Sequence, residues 1–396
     1  MFNFSDKISA LKPSAIREIF KSLTDPEIIA FAAGNPASES FPIEELSALS
    51  RELFESQAVK ALQYGMTEGY TPLREAISER LYKKFGIGRD FDRTLIVTGG
   101  QQGIELSCKI FCNEGDVVLC ENPSFIGALN AFRSLGAKPV GVPLEQDGMN
   151  LDALTDILDK TENVKMIYMI PTFHNPMGIT TSFEKRKAIY QIARERNIVI
   201  FEDNPYGELR FEGKDILTIK SIDDAGIVIY CSSFSKILSA GMRVGYVNAH
   251  EEIIQKMTVA KQVEDVHTNL FFQMLCYKFM TECDFDGQIA KIRALYLRKC
   301  RLMLDTLDKV MPPEIHFTRP QGGLFVWCTL PPAIDLSTFV AEALKRKVAV
   351  VPGGTFNCDT DQPSSAFRLN FSNPSDEQIV RGVEILGELV REYLEK

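Results

Sequence analysis

Short apolar runs alternate with amphipathic stretches between residues 94 and 247, and this alternation constrains the fold more than any other feature. The runs include Thr94–Thr98, Lys165–Ile170 and Ile198–Phe201, while Phe183–Arg194 has the spacing of a helix. Each run has the length and boundaries of a buried strand. The pattern predicts an α/β fold with a mainly parallel sheet that helices cover on both faces.

Glycine-rich or polar turns follow these predicted strands, at the edge where open α/β sheets bind ligands. After Thr94–Thr98 comes a glycine-rich turn in which the backbone N–H groups of Gly100 and Gln101 form a candidate anion site. After Ile198–Phe201 comes Asp203, a carboxylate that needs a cationic partner if it is buried. Taken alone, the glycine-rich turn is also typical of a helix start that binds no ligand, and Asp203 is also typical of an acidic residue in a turn.

The residues around Lys236 predict a binding site for a phosphorylated aldehyde. Ser233 and Ser235 precede this lysine and Arg243 follows it, at the end of another predicted strand. The lysine amine can form a Schiff base, while the hydroxyls and the guanidinium hold a phosphate. A lone S-x-S-K, by contrast, is typical of a surface turn.

The stretch from Ser232 to Tyr246 resembles the lysine site of fold-type I pyridoxal-phosphate (PLP) enzymes, the class I/II aminotransferases. It is similar to the aminoadipate, kynurenine and aromatic branch, where S-F-S-K-x-x-S-x-G-x-R is usual. The resemblance implies a large domain with a mainly parallel seven-stranded sheet and a smaller α+β domain. The predicted divisions are residues 1–45, an amino-terminal segment at the site's mouth, 46–285, the PLP-binding domain, and 286–396, the small domain.

The same resemblance implies roles for residues elsewhere in the chain. Phe125 stacks on the cofactor ring, Asn175 and Tyr206 face its ring oxygen, and Asp203 pairs with its ring nitrogen. Arg368 binds the substrate carboxylate, for which a guanidinium fork is suited, and Asn175 is also a substrate-binding candidate. Without this resemblance, Phe125 and Tyr206 are also explained as aromatic residues that pack in the core, and Arg368 as a surface arginine. Gly100 stands where the family usually has Ser or Ala, and Met177 stands where it usually has Thr.

Two further assignments concern a partner chain and the mouth of the site. In the family, a Tyr-Gly turn such as Tyr64-Gly65 reaches the phosphate of the partner's cofactor, which implies a homodimer. Gly34, in a Gly-Asn-Pro turn, and Arg17, on a predicted helix over Ser14–Leu23, are candidate substrate-binding residues. Alternatively, Tyr64 is an aromatic residue of a loop without a role in the site, and Arg17 lies on a solvent-exposed helix face.

Composition excludes several classes of partner. The formal charge is −9 without a basic stripe, which argues against nucleic acid and an anionic membrane as partners. No apolar run has the length of a membrane span, and the amino terminus lacks a signal sequence. The nine cysteines form no C-x-x-C pair and no zinc pattern, so we expect no metal and a cytoplasmic protein.

The sequence therefore predicts a PLP-dependent aminotransferase that works by a ping-pong cycle. We expect an aminoadipate, aromatic or leucine-like donor and a 2-oxo acid acceptor such as 2-oxoglutarate. The same residues serve a β-lyase or a decarboxylase, and a non-catalytic PLP-sensing domain is a third possibility. An NAD enzyme is disfavoured, because the glycine fingerprint and its acidic partner are missing.

Overall fold

The computed structural model describes residues 2–9, 11 and 25–395. Its strands are β1 (Ile29–Ala30), β2 (Asp92–Val97), β3 (Val117–Asn122), β4 (Lys138–Glu145), β5 (Gly148–Met149), β6 (Val164–Met169), β7 (Val199–Asp203), β8 (Val228–Ser233), β9 (Gly245–His250), β10 (His316–Phe317), β11 (Phe325–Thr329), β12 (Val348–Ala349), β13 (Val351–Pro352) and β14 (Ala366–Asn370).

The α-helices precede, separate and follow these strands. They are α1 (Asp6–Ser9), α2 (Ile43–Leu62), α3 (Thr71–Arg80), α4 (Gly100–Phe111), α5 (Ile126–Ser134), α6 (Leu151–Lys160), α7 (Phe183–Glu195), α8 (Glu251–Gln262), α9 (Leu270–Glu282), α10 (Phe285–Val310), α11 (Leu336–Lys345) and α12 (Asp376–Leu394).

The central sheet has the strand order β2-β9-β8-β7-β6-β3-β4-β5. Its middle strands, from β8 through β4, are parallel, while β2, β9 and β5 are antiparallel to their neighbours. The predicted mainly parallel α/β fold is confirmed. The sheet has eight strands and not the expected seven, because β5 is a two-residue strand that forms a tight hairpin with β4 at Gly148, where φ is +118°.

Both faces of this sheet are buried, which explains the continuous apolar runs. Tyr168 and Phe201 pack into one apolar cluster, whereas their chain neighbours Ile167 and Ile200 pack into a second. Since successive side chains of a strand point to opposite faces, the two clusters are the two helix-covered sides. The carboxyl ends of the parallel strands are consequently presented along one edge.

Two smaller sheets lie outside the central one. One has the antiparallel order β10-β11-β14-β13, and the other pairs β1 in parallel with β12. The amino-terminal segment is thus tied to a strand more than 300 residues later in the sequence, Ile29 being opposite Val348. The last helix begins with a capping box of Ser375 and Gln378. The division into domains stays a prediction.

Candidate active site

A cavity of about 320 Å³ lies at the carboxyl ends of the parallel strands. Most of the predicted site residues line it, although they come from separate parts of the chain. These residues are Gly34, Gly100, Gln101, Phe125, Asn175, Asp203, Tyr206, Ser233, Ser235, Lys236, Arg243 and Arg368.

Two predicted residues do not line this cavity in the described part of the chain. Tyr64 is 81% exposed and lies in a separate, larger groove, with its ring edge-on to His267 at a centroid distance of 5.8 Å. Arg17 and its predicted helix, Ser14–Leu23, are outside the described residues.

Lys236 stands on a short 3-10 turn that directly follows β8. The side chain of Ser233 caps this turn by accepting a 3.0 Å hydrogen bond from the backbone N–H of Ser235. The amine of Lys236 donates to the carbonyl of Gly34 at 2.7 Å. Burial, together with the cations of Arg368 and Arg243, lowers the pKa of Lys236 to about 8. The neutral amine is therefore a larger fraction of Lys236 near neutral pH than of an ordinary lysine.

Hydroxyl, guanidinium and helix N-terminus converge at one end of the cavity. Ser233 Oγ and Ser235 Oγ lie 2.7 Å apart. Arg243 has a φ of +54°, and its guanidinium packs so closely on Gly99 that a Cβ there would lie 2.2 Å from Nη2. Helix α4 begins at the next residue, Gly100, with its first N–H groups free of intrahelical partners. This end has the donors and the positive field that a phosphate requires.

A buried carboxylate occupies another wall. Asp203 ends β7 and is 4% exposed, and its Oδ2 accepts a 2.7 Å hydrogen bond from the hydroxyl of Tyr168. Burial raises the pKa of Asp203 to about 7. A cation placed in the cavity beside this carboxylate would favour its ionised form.

Arg368 lies on β14 and is only 3% exposed, yet its charge has no carboxylate partner among the contacts of the described residues. Its Nη1 donates to Asn175 Oδ1 at 2.7 Å and its Nη2 donates to the Ala32 carbonyl at 2.9 Å. The guanidinium carbon lies 4.2 Å from the ring centroid of Phe325. Its buried Nε has no hydrogen-bond partner within the described ranges of the chain, and burial lowers the pKa of Arg368 to about 10. Such a group is suited to bind a carboxylate that enters the cavity.

Sequence reasoning missed several residues of the site. Apolar or small side chains complete the cavity wall: Ile104, Ile170, Pro205, Ala240 and Phe325. The position of Ile170, directly after β6, was an available signal, because neighbouring strand ends share an edge of the sheet. The hydrogen bond from Tyr168 to Asp203 had no comparable signal, since it depends on the register between two strands.

The sequence matches the family described as aminotransferase class I and II over residues 26–386. Aromatic-amino-acid aminotransferase 1 of Thermococcus litoralis is 38% identical over 99% of this chain and 95% of its own length. The 2-aminoadipate transaminase of Thermus thermophilus is 39% identical, over 99% of this chain and 97% of its own. The chain belongs to the aminotransferase class I and II family.

A solved structure supports the same assignment. The crystal structure of LysN, an α-aminoadipate aminotransferase from Thermus thermophilus, matches with a TM-score of 0.90 and 37% identity, over 99% of this chain and 98% of that one. That protein is complexed with N-(5′-phosphopyridoxyl)-L-leucine. The predicted family, fold type and cofactor class are confirmed, and the protein is a PLP-dependent aminotransferase.

The chemistry of the cavity fits this cofactor. The cluster of Ser233, Ser235 and Arg243 matches a dianionic phosphate, and the buried carboxylate of Asp203 matches a protonated ring nitrogen. Lys236 is the amine available to an aldehyde, and Arg368 is a buried cation in the cavity lining that suits a substrate carboxylate.

Proposed function

We propose that this aminotransferase moves the amino group of aminoadipate, an aromatic amino acid or a leucine-like amino acid to a 2-oxo acid such as 2-oxoglutarate. The two half-reactions share one site in a ping-pong sequence, because both substrates present an α-carboxylate to the same arginine. The supporting observation is Arg368, a buried guanidinium that has no carboxylate partner among the described residues and lines the cavity that also holds Lys236.

Each polar residue of the cavity has a task in this proposal. Ser233, Ser235, Arg243 and the backbone N–H groups of Gly100 and Gln101 hold the phosphate. PLP supplies, when bound, an aldehyde that captures amines and an electron-withdrawing ring.

The remaining residues act on the ring and on the proton. Asp203 would keep the ring nitrogen protonated, Tyr206 and Asn175 would donate hydrogen bonds to the ring oxygen, and Phe125 would stack on the ring. Lys236, whose amine has a pKa of about 8, would take the proton from the Cα of the donor in the first half-reaction and return a proton to the Cα of the newly formed amino acid in the second.

A single-turnover experiment tests the reaction class. Purified, PLP-loaded protein is mixed with one donor at a time, L-2-aminoadipate, L-phenylalanine or L-leucine, without an acceptor. We expect one equivalent of 2-oxo acid per site, and 2-oxoglutarate should then restore the starting spectrum and yield glutamate. Release of carbon dioxide or of free ammonia would instead indicate a decarboxylase or a β-lyase. A protein that binds PLP yet transforms no donor would fit the non-catalytic alternative.

We infer a homodimer from the groove that contains Tyr64. The groove measures about 1120 Å³ and exposes large apolar side chains, including Val59 at 82% and Met66 at 59%. Contiguous apolar surface of this kind marks interaction sites. A second copy of the chain is the proposed occupant, with the Tyr64 hydroxyl extended to the phosphate held by its partner.

Replacing Met66 by Arg is therefore expected to convert a dimer into a monomer with little activity, because a charge would be buried in the interface. Sedimentation velocity measures the change. Tyr64→Phe should keep the dimer and weaken PLP binding by about 10-fold, the loss of one hydrogen bond to a charged group. Tyr82→Phe, at a tyrosine that is 68% exposed and does not line the groove, is the matched control. A fully active monomer would contradict the proposal.

Arg17 is proposed to pair with the distal carboxylate of acidic substrates, an assignment that depends on the sequence alone. Arg17→Ala should lower kcat/KM for aminoadipate by about 10- to 100-fold, as expected for a lost hydrogen bond between charged groups. Kinetics with phenylalanine on the same preparation are the internal control and should change little. Equal losses for both donors, or no loss, would show that Arg17 does not select substrates.

We also place the protein in the cytoplasm. All nine cysteines are free, as is usual in a reducing compartment. Among the described residues, no helix has both the length and the apolar character that crossing a membrane requires.

A further inference from the structure

Among the hydrogen bonds of the described residues, Tyr168 is linked to the site only through Asp203. Its hydroxyl donates the 2.7 Å hydrogen bond to Asp203 Oδ2, and its side chain is completely buried. Tyr168 does not line the cavity, so it cannot contact a molecule bound there directly. Any influence that it has on the reaction must pass through the carboxylate.

The sheet register and two rings fix the direction of this hydroxyl. Tyr168 lies opposite Phe201 in the parallel pair of β6 and β7. Because side chains alternate along a strand, Phe201 and Asp203 occupy the same face of the sheet as Tyr168. The Tyr168 ring stacks on Phe201 at a centroid distance of 5.8 Å and meets Phe132 edge-on at 5.5 Å. The phenol is held in place before any ligand arrives.

The hydrogen bond from Tyr168 changes the pKa of Asp203. Burial raises the pKa of Asp203, the Tyr168 hydroxyl lowers it, and the nearby charge of Glu121 raises it. Burial also raises the pKa of Tyr168 well above its ordinary value, so the phenol remains a proton donor. A neutral donor in a dry site stabilises an adjacent negative charge more strongly than it would in water.

We propose that Tyr168 is a positioning residue that holds Asp203 ionised and directed at the ring nitrogen of the cofactor. The inference depends on the role proposed above for Asp203. Tyr168 contributes by donating one hydrogen bond to Oδ2, which leaves the other oxygen of the carboxylate for the protonated nitrogen.

The test compares two cofactors on the protein freed of its PLP. One is PLP, and the other is 1-deazapyridoxal 5′-phosphate, in which a carbon replaces the ring nitrogen. Wild type should bind PLP more tightly than the deaza compound. Tyr168→Phe should weaken PLP binding by about 10- to 100-fold, the loss of a hydrogen bond to a charged group, and should leave the affinity for the deaza compound unchanged.

A matched control is Tyr230→Phe. Tyr230 is a buried tyrosine of the neighbouring strand β8, 1% exposed, and its hydroxyl accepts a 3.1 Å hydrogen bond from Asn204 Nδ2 and makes no contact with Asp203 among the described hydrogen bonds. This variant should retain the preference of wild type for PLP. A general effect of removing a buried hydroxyl would appear in both variants.

Each other outcome overturns a defined part of the inference. If Tyr168→Phe weakens both compounds equally, or neither, Tyr168 has only a packing role. If wild type binds both compounds equally well, the role of Asp203 fails and the Tyr168 role fails with it. Should Tyr168→Phe not fold, a fluorinated tyrosine at position 168 replaces it, because it keeps the shape and donates more strongly. It should increase the preference for PLP, and an unchanged preference would overturn the inference.

Discussion

Lys236→Ala is expected to reduce turnover by at least about 10⁴-fold while PLP still binds. Loss of a general base alone costs about 10²–10⁴-fold, and this variant also loses the amine that attaches the cofactor. The phosphate-binding residues Ser233, Ser235 and Arg243 are unchanged, so non-covalent binding should persist. Steady-state kinetics and the absorbance of the protein after gel filtration measure the two effects.

An added primary amine, such as methylamine, should restore part of the activity of Lys236→Ala, since it can carry the missing proton. The matched control is Lys214→Ala, at an exposed lysine that does not line the cavity. It should have wild-type kinetics. Substantial unaided turnover by Lys236→Ala would refute the assignment of Lys236.

Asp203→Asn is expected to lower turnover by at least about 100-fold and yet to stabilise the protein when PLP is absent. The loss of activity follows because a neutral amide cannot favour a protonated ring nitrogen, and electrostatic groups of this kind contribute about 10²–10³-fold. The gain in stability follows from the burial that raises the pKa of Asp203 from 3.8 to about 7.

The pH dependence of that gain has a definite sign. A carboxyl whose pKa is raised by folding binds its proton more tightly in the folded state, so wild type loses stability as pH rises from about 4 to about 7. The difference between Asp203→Asn and wild type should be small at pH 4, grow through this range and level off above pH 7. Its upper limit is about 4 kcal/mol, at about 1.4 kcal/mol per pKa unit.

Denaturant unfolding of both cofactor-free proteins at several pH values measures this difference. Asp224→Asn is the control, because that carboxylate is exposed and hydrogen bonds lower its pKa. It should not show a gain that grows between pH 4 and 7. A difference between Asp203→Asn and wild type that shrinks as pH rises would mean that Asp203 is not a destabilising buried acid.

The sequence predicted the ligand-binding edge of the sheet well, because buried parallel strands are continuous apolar runs and glycine-rich or polar turns mark where they end. It was less accurate about where the strands stop. The run at Ile198–Phe201 becomes the strand Val199–Asp203, because polar residues at a strand end are invisible to an apolar pattern. Strand β9 begins only at Gly245, because the positive φ of Arg243 is incompatible with an extended strand.

Other parts of the site depend on contacts that a residue pattern does not encode. The hydrogen bond between Tyr168 and Asp203 requires the register of β6 against β7. The guanidinium carbon of Arg368 lies 5.0 Å from the ring centroid of Phe356, on a turn that has no strand or helix signal of its own. The carbonyl acceptors of Ala32 and Gly34 are backbone groups, and every residue type supplies the same carbonyl.

The pairing of β1 with β12 also sets a limit on how this chain can be shortened or fused. Ile29 and Ala30 supply the partner of β12, and the carbonyls that receive Arg368 and Lys236 follow within four residues. A truncation that removes Ile29 would therefore disrupt the pairing of β1 with β12. The carbonyls that accept hydrogen bonds from Arg368 and Lys236 would lose the strand that anchors them. A protease site or an affinity tag that must leave these two contacts intact belongs ahead of Ile29.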